Sequence, residues 1–237
     1  RVNTGSYNSA FGKSALEANT GGTYNAAFGA YSLDGNTTGD YNTAIGTYAL
    51  GDQTTGGSNT ALGFKALKYN TTASNNVAVG YEALHVNTTG TANVAVGYKA
   101  LDANTTASNN TAIGNGALGL NTTGAQLVAV GNGALEANTT GNYSVAVGSQ
   151  ALEKNTTGAN NVAVGLQALE DNTTGNNNTA LGFAAQNGRT AGNDNVAVGA
   201  YCMNAAATGD SNTGLGKSAL HDLTTGANNT AVGHNAM

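Results

Sequence analysis

The sequence predicts an all-β fold, a parallel β-solenoid with one coil per 17-residue repeat. A five-residue box, seen for example at residues 161–165, recurs fourteen times without insertion or deletion. Each box alternates small and larger apolar residues, as a short strand does, and most copies are followed by an N-T-T triplet, often completed to N-T-T-G. A strict period of this kind is typical of solenoids, in which each repeat stacks on the next. The last residue of each box is a glycine: Gly12, Gly29, Gly46, Gly63, Gly80, Gly97, Gly114, Gly131, Gly148, Gly165, Gly182, Gly199, Gly216 and Gly233.

We number the repeat from the Asn of the box, so that its pattern N-(T/V)-A-(apolar)-G-x-x-A-L-x-x-N-T-T-G-x-x defines columns 1 to 17. Column 3 is Ala except at Gly214, and column 9 is Leu except at Gln186, Met203 and Met237. Stacking turns each column into a row of like side chains. Column 4 is apolar in every copy: Phe11, Phe28, Ile45, Leu62, Val79, Val96, Ile113, Val130, Val147, Val164, Leu181, Val198, Leu215 and Val232.

Columns 1 to 4 are predicted to form a short strand that ends at a turn. Columns 2 and 4 lie on one face of such a strand and the Ala of column 3 lies on the other. We expect columns 4 and 9 to line the buried core, with column 2 partly buried beside them. The column-5 glycine is expected to have a positive φ or a close backbone neighbour.

The rest of the repeat is predicted to complete the coil. Columns 6 to 9 are interpreted as a second extended piece, with a helical turn through columns 6 to 11 as the alternative. The N-T-T-G segment is expected to close the coil, because Asn and Gly tolerate left-handed conformations. The Asn residues of columns 1 and 12 are expected to hydrogen-bond along the stack. Ala in columns 3 and 8 indicates a tightly packed surface, either inside a thin roll or between subunits.

Composition favours one continuous solenoid over residues 1–237, which we interpret as a segment of a longer fibre protein. The net charge is −5 and the basic residues are few and scattered, so nucleic acid is not an expected partner. No apolar run is long enough to span a membrane. Near-identical coils present rows of like groups instead of the unlike groups that catalysis requires, so we expect neither an enzyme nor a cofactor.

Several residues that resemble sites have simpler interpretations. Cys202 takes the place of Ala in column 8 and is expected to be a small buried side chain. His85, His221 and His234 are interpreted as solvated surface residues, and no metal site is expected. The N-T-T triplets, such as residues 36–38, match the glycosylation pattern formally but are interpreted as turn chemistry.

Columns 6 and 7 vary most and supply a possible ligand-contact face. Exposed aromatic residues on a regular scaffold suit contact with a sugar or a protein. The alternative is that these rings pack on the next coil or on a neighbouring chain. The aromatic residues concerned are Tyr31, Tyr48, Phe64, Tyr81, Tyr98, Phe183 and Tyr201.

The boxes at 76–80, 93–97, 161–165 and 195–199 read N-V-A-V-G, and the box at 144–148 reads S-V-A-V-G. They resemble the N-S-V-A-I-G box of YadA-like heads in trimeric autotransporter adhesins, and of related phage and bacterial fibre repeats. The resemblance implies a left-handed β-roll that forms a side-by-side homotrimer on a stalk and serves attachment. The longer repeat and its N-T-T-G corner depart from that family.

The sequence therefore predicts an extracellular structural and adhesive fibre segment, from a surface adhesin head or a phage tail fibre. Its variable columns would contact a cell, a glycan or a protein. A pure structural spacer is the first alternative. A second is an ice-binding solenoid, suggested by Thr in columns 13 and 14. The repeat does not distinguish a bacterial adhesin from a viral fibre.

Overall fold

The computed structural model describes residues 4–188, 190–205 and 208–237, and these contain three-residue strands and no helix. The chain divides into two compact units, Arg1–Thr123 and Gly124–Met237. The first unit contains β1 (Ser9–Phe11), β2 (Ala26–Phe28), β3 (Thr43–Ile45), β4 (Thr60–Leu62), β5 (Val77–Val79), β6 (Val94–Val96) and β7 (Thr111–Ile113). The second contains β8 (Val128–Val130), β9 (Val145–Val147), β10 (Val162–Val164), β11 (Thr179–Leu181), β12 (Val196–Val198), β13 (Thr213–Leu215) and β14 (Thr230–Val232).

Within each unit the strands pair in parallel with the equivalent strands of the neighbouring coils. In the first unit, β1 pairs with β2 so that Ala10 lies opposite Ala27. In the second unit, β10 pairs with β11 and Ala163 lies opposite Ala180. Every pair keeps the 17-residue register, so each column of the sequence becomes one row of the sheet. The predicted parallel β-solenoid is confirmed.

The strands place column 3, and not column 4, in the core. Ala163 is fully buried, whereas Val164 is 38% exposed and points outward. The expectation that column 4 lines the core is wrong. Column 9 is correctly predicted, because Leu169 is buried. Ala in column 3 thus belongs to the inside of a thin roll, the first of the two alternatives, where a larger side chain would meet the column-8 and column-9 side chains.

Columns 6 to 11 form a run of turns, so the predicted second extended piece and its helical alternative are both wrong. Gln167 and Leu169 have left-handed φ values of 58° and 53°. The N–H of Ala168 donates to the carbonyl of Gly165 at 3.3 Å, which closes a tight turn. Because a left-handed residue interrupts the alternation of side chains, the consecutive residues Ala168 and Leu169 both lie in the core.

Two rows of buried Asn connect the coils. In column 12, the Asn172 amide donates to Oδ1 of Asn155 at 2.8 Å and to the carbonyl of Gly175 at 3.1 Å. In column 1, Oδ1 of Asn161 accepts the backbone N–H of Asn178 at 2.9 Å. The expected ladders are confirmed, although column 1 bonds mainly to backbone. The Asn and Gly of the N-T-T-G corner are not left-handed, so that part of the prediction is wrong.

The third left-handed position of the coil is column 17 and not the N-T-T-G corner. Asn177 has a φ of 57° there, and Tyr24 and Tyr41 adopt the same conformation in the first unit. The column-5 glycine behaves as predicted, since Gly165 has a φ of 136°. A Cβ on Gly165 would lie 2.4 Å from the carbonyl oxygen of Gly182 in the next coil.

Four exceptions to the repeat form one cluster in the second unit. The buried Cys202 is larger than the Ala of other coils, and Gly214 in column 3 makes room for it. A Cβ on Gly214 would lie 2.6 Å from Sγ of Cys202 and 3.2 Å from Cε of Met203. The Gln186 amide nitrogen lies 3.7 Å from Sδ of Met203. Burial also raises the pKa of the Cys202 thiol, in agreement with an inert, space-filling role.

Gly214→Ala is therefore expected to destabilise the protein by about 1–3 kcal/mol, the usual cost of overpacking a core. Adding Cys202→Ala should recover most of that loss, because the double variant restores the small side chains of the other coils. Chemical denaturation of the wild type, both single variants and the double variant would measure the coupling. Additive effects of the two substitutions would contradict the assigned contact.

Candidate functional site

Most polar side chains of the repeat form hydrogen bonds within the solenoid, so few columns remain that can contact a ligand. The column-13 hydroxyl of Thr156 donates to the carbonyl of Thr173 at 3.0 Å. In column 16, Oδ1 of Asn176 accepts the backbone N–H of Ala159 at 2.8 Å. Such bonds recur from coil to coil, so the polar residues of columns 13 and 16 serve to hold neighbouring coils together. The columns left mainly exposed are 4, 6, 14 and 17, and columns 7 and 11 expose some of their members, such as Tyr201 and Leu120.

The N-T-T triplets do not present their Asn for glycosylation. Asn36 is fully buried. Its amide nitrogen donates to Oδ1 of Asn19 at 2.9 Å and to the carbonyl of Gly39 at 3.0 Å. A glycan on that nitrogen would require the corner to open, so the structural interpretation of the triplet is the one supported here.

The predicted aromatic contact residues form three separate groups. Tyr31 and Tyr48 stack with centroids 5.1 Å apart and planes 6° apart. Phe64, Tyr81 and Tyr98 form a row with spacings of 5.4 and 5.3 Å. In the second unit, Phe183 meets Tyr201 edge to face at 5.0 Å. The rings therefore pack on the next coil, as one alternative predicted. Contact with a ligand stays a prediction for the edges that remain exposed.

Column 17 contains a further row of aromatic residues, which was not predicted from the sequence. Tyr7 and Tyr24 stack at 4.8 Å, and Tyr24 and Tyr41 stack at 5.2 Å, with planes within 7° in both pairs. These rings are 76%, 50% and 62% exposed, respectively. The signal that could have found them is Tyr in one column of three successive repeats. We call this row the Tyr7–Tyr24–Tyr41 ladder.

A charged network flanks the Phe64–Tyr81–Tyr98 row. Oε1 of Glu82 lies 3.6 Å from Nζ of Lys65, and Oε2 of Glu82 lies 3.5 Å from Nζ of Lys99. Loss of hydration raises the pKa of Glu82, but His85, Lys99 and Lys65 outweigh it and the pKa is lowered overall. Asp102 lies 3.5 Å from the His85 ring, and burial raises the pKa of its carboxyl. The positive and negative charges of this network balance one another. The network therefore links neighbouring coils and is not a site for an anion.

The histidines differ from one another in their surroundings. His85 was expected at the solvated surface but is largely buried beside the Tyr69 ring, 5.0 Å away. Burial accordingly lowers the pKa of His85. His234 is exposed, as predicted. Within the described ranges, no group of three or more His, Cys, Asp or Glu residues is placed to hold a metal ion.

Column 4 forms a row of exposed apolar side chains along each unit. On the strand β10, Val164 on the outer face is 38% exposed, and the other outer residue, Val162, is half-buried. No neighbouring element covers this face of the described strands. The column-4 side chains at least 36% exposed are Phe11, Phe28, Ile45, Leu62, Ile113, Val147, Val164, Leu181, Leu215 and Val232.

No family model and no curated protein matches the chain. The likeness to YadA-like heads consequently stays a prediction based on the repeated box. The described residues also contain no helix long and apolar enough to cross a membrane.

Of the two Thr columns behind the ice-binding alternative, column 14 is the one whose hydroxyls are mostly unengaged in the described coils, although the Thr4 hydroxyl donates to the carbonyl of Thr20 at 2.8 Å. Thr157 and Thr174 in that column are exposed. The column-13 neighbours Thr156 and Thr173 are half-buried, and their hydroxyls donate to carbonyls of the next coil. The described coils thus offer a single row of largely unengaged hydroxyls, whereas a two-dimensional match to the ice lattice would need two such rows.

Proposed function

We propose that the chain is a structural and adhesive fibre segment that acts outside the cell, in a surface adhesin head or a phage tail fibre. The observation that carries the proposal is the exposed apolar row of column 4 on a regular solenoid. Contiguous apolar surface of this kind is uncommon on a soluble monomer and marks an interaction site. A second copy of the same chain offers an apolar row with the same period.

The proposed assembly is a side-by-side homotrimer. Column 4 can supply the shared interface, because its side chains recur once per coil in each unit. The number three comes from the likeness to YadA-like heads, and the left-handed coil is proposed on the same basis. Closed cyclic symmetry is also the usual outcome for repeated identical contacts. We expect a total buried area above about 2,000 Å², the range of obligate assemblies.

The attachment role rests on the columns that remain exposed outside this interface. The coil is held by buried Asn, Ala and Leu, whereas columns 6, 7, 14 and 17 present exposed side chains or ring edges, and columns 6, 7 and 17 vary from repeat to repeat. A rigid scaffold with variable exposed positions suits contact with a host cell, glycan or protein. A pure spacer would assemble in the same way and bind nothing through these columns.

Light scattering tests the assembly. At micromolar concentration the expected mass is three times the 23.3 kDa of the chain. Val164→Asp in column 4 should reduce the mass to that of the monomer, because a charge would have to be buried between chains. Thr157→Asp, on exposed column 14, is the matched control and should remain trimeric.

A mass near 23.3 kDa for the wild type, with an intact circular dichroism spectrum, would show a monomeric rod and contradict the proposed assembly. Attachment is tested separately by incubating fluorescently labelled protein with bacterial and eukaryotic cells. A trimer that attaches to no surface would favour the spacer.

A further inference from the structure

The Tyr7–Tyr24–Tyr41 ladder combines local strain with exposure. Its residues have φ values of 59°, 57° and 60°, in the left-handed region. That conformation is costly for bulky side chains, and the same column holds Asn in several other coils, a residue that tolerates it better. In column 9 the same cost is offset because the Leu side chains are buried in the core. Column 17 is left-handed in every coil, whichever residue occupies it, so the coil imposes this conformation. The ladder tyrosines gain stacking but little burial, and the use of three bulky side chains at such an exposed position points to function.

The arrangement of the rings determines what can bind them. The faces of Tyr24 are turned toward Tyr7 and Tyr41, with centroids 4.8 and 5.2 Å away. A ligand therefore meets ring edges and phenol hydroxyls, repeated once per coil. Backbone bonds from Tyr24 to Ser6 and from Tyr41 to Thr23, both 3.1 Å, hold this spacing. Within the described part of the chain, the three phenol hydroxyls bond to no protein group and are free for a ligand.

Few charged residues lie near the ladder. In columns 13 to 17 of residues 4–58, Asp40 is the one charged residue. Its Oδ1 accepts the backbone N–H and the hydroxyl of Thr23 at 2.6 and 2.9 Å, so it is engaged within the protein. All Lys residues of the chain lie in columns 6 to 11. Within columns 13 to 17 of residues 4–58, the surface thus offers hydroxyls and aromatic edges to a neutral ligand and no cation to an anionic one.

We propose that the Tyr7–Tyr24–Tyr41 ladder binds a neutral polysaccharide that lies along the solenoid axis. An extended chain of pyranose rings repeats at a distance close to the spacing of neighbouring coils, so successive sugars can meet successive tyrosines. The phenol hydroxyls exchange hydrogen bonds with sugar hydroxyls, and the ring edges cover their C–H groups. This inference deepens the proposed attachment function and rests on it.

Affinity electrophoresis of the full chain tests the site, with galactomannan, dextran and a soluble β-1,3-glucan as neutral probes and alginate as the charged counterpart. We expect at least one neutral probe to retard the wild type, and alginate to leave it unretarded. Replacing all three ladder residues, as Tyr7→Asn, Tyr24→Asn and Tyr41→Asn, should abolish retardation. Tyr24→Asn alone should weaken binding by about tenfold or more, as for a central hot-spot residue.

Two features keep the test specific. Asn suits the left-handed backbone, so the triple variant should fold, and circular dichroism checks this. Tyr143→Asn is the matched control, since Tyr143 lies in the same column, has a φ of 58° and is 60% exposed, but Gln126 and Asn160 occupy that column in the adjacent repeats, so it belongs to no ladder. That control should bind like the wild type.

Retardation of the triple variant equal to that of the wild type would overturn the inference, as would a wild type that no neutral probe retards. Stronger retardation by alginate would overturn it as well. If the triple variant still attaches to cells, the ladder is not the site while the attachment function stands. If neither protein attaches to any cell, the attachment function itself fails.

Discussion

Leu169→Asp is expected to destabilise the solenoid by about 4 kcal/mol or more, because it buries an unpaired carboxylate in the core. Leu169 is 1% exposed and lies in the column-9 row between the Leu of one neighbouring coil and Gln186 of the other. The row offers no cation to pair with the new charge. Protonation of the carboxyl would limit the loss at low pH, so unfolding at neutral pH should show the largest effect.

The matched variants are Val164→Asp and Leu166→Asp, which place the same charge on exposed positions of the same coil. Val164 and Leu166 are 38% and 45% exposed, so both substitutions should cost the isolated chain little. Leu169→Met should also be mild, below about 1.5 kcal/mol, since Met203 occupies the same column. Denaturant unfolding followed by circular dichroism, with the mass of each sample measured in parallel, separates folding from association. Equal losses for Leu169→Asp and Leu166→Asp would contradict the assigned core.

Gly165→Ala is expected to cost about 3 kcal/mol or more, although it adds only a methyl group. Two effects combine at this position. A φ of 136° lies in a region that essentially only glycine occupies. The new Cβ would also lie 2.4 Å from the carbonyl oxygen of Gly182 and 2.7 Å from its carbon, and these are backbone atoms that the stack holds in place.

Gly133→Ala provides the control for this prediction, because it also replaces a glycine of positive φ. The φ of Gly133 is 65°, a value close to that of Gln150 and Gln167 in the same column. The nearest atom to its Cβ would be Oε2 of Glu136 at 3.2 Å, and the other two neighbours, on Glu153 and Gln150, are side-chain atoms at 3.8 and 3.9 Å. We expect a cost of about 1 kcal/mol. Thermal unfolding of both variants measures the difference, and a Gly165→Ala variant as stable as Gly133→Ala would refute the assigned constraint.

The sequence was sufficient for the periodic features of the fold. A 17-residue period without interruption is compatible with one coil per repeat, and glycine at every column 5 indicated a backbone that other residues cannot adopt. The Leu row of column 9 and the Asn row of column 12 were also predictable, because large apolar residues and amides repeated at one position have partners in every coil. The column-17 tyrosines could have been found in the same way.

The candidate site was predictable only in part. Tyr31, Tyr48, Phe64, Tyr81 and Tyr98 were identified as partly exposed aromatic residues, but their stacking depends on side-chain directions that spacing does not give. His85 was misplaced because its burial results from packing against Tyr69 in the neighbouring coil.

The sequence by itself determined the repeat, the parallel register and the set of residues in each column. Only the tertiary structure decided which face of the strand lies inside. Alternation separates Ala163 from Val162 and Val164, and on composition alone the larger apolar residues are the expected core. The left-handed residues of columns 7 and 9 bring Ala168 and Leu169 inward together and fill a narrow interior, so only Ala fits opposite them. The valines are thereby left on the outer face, where the proposed contact between chains is formed.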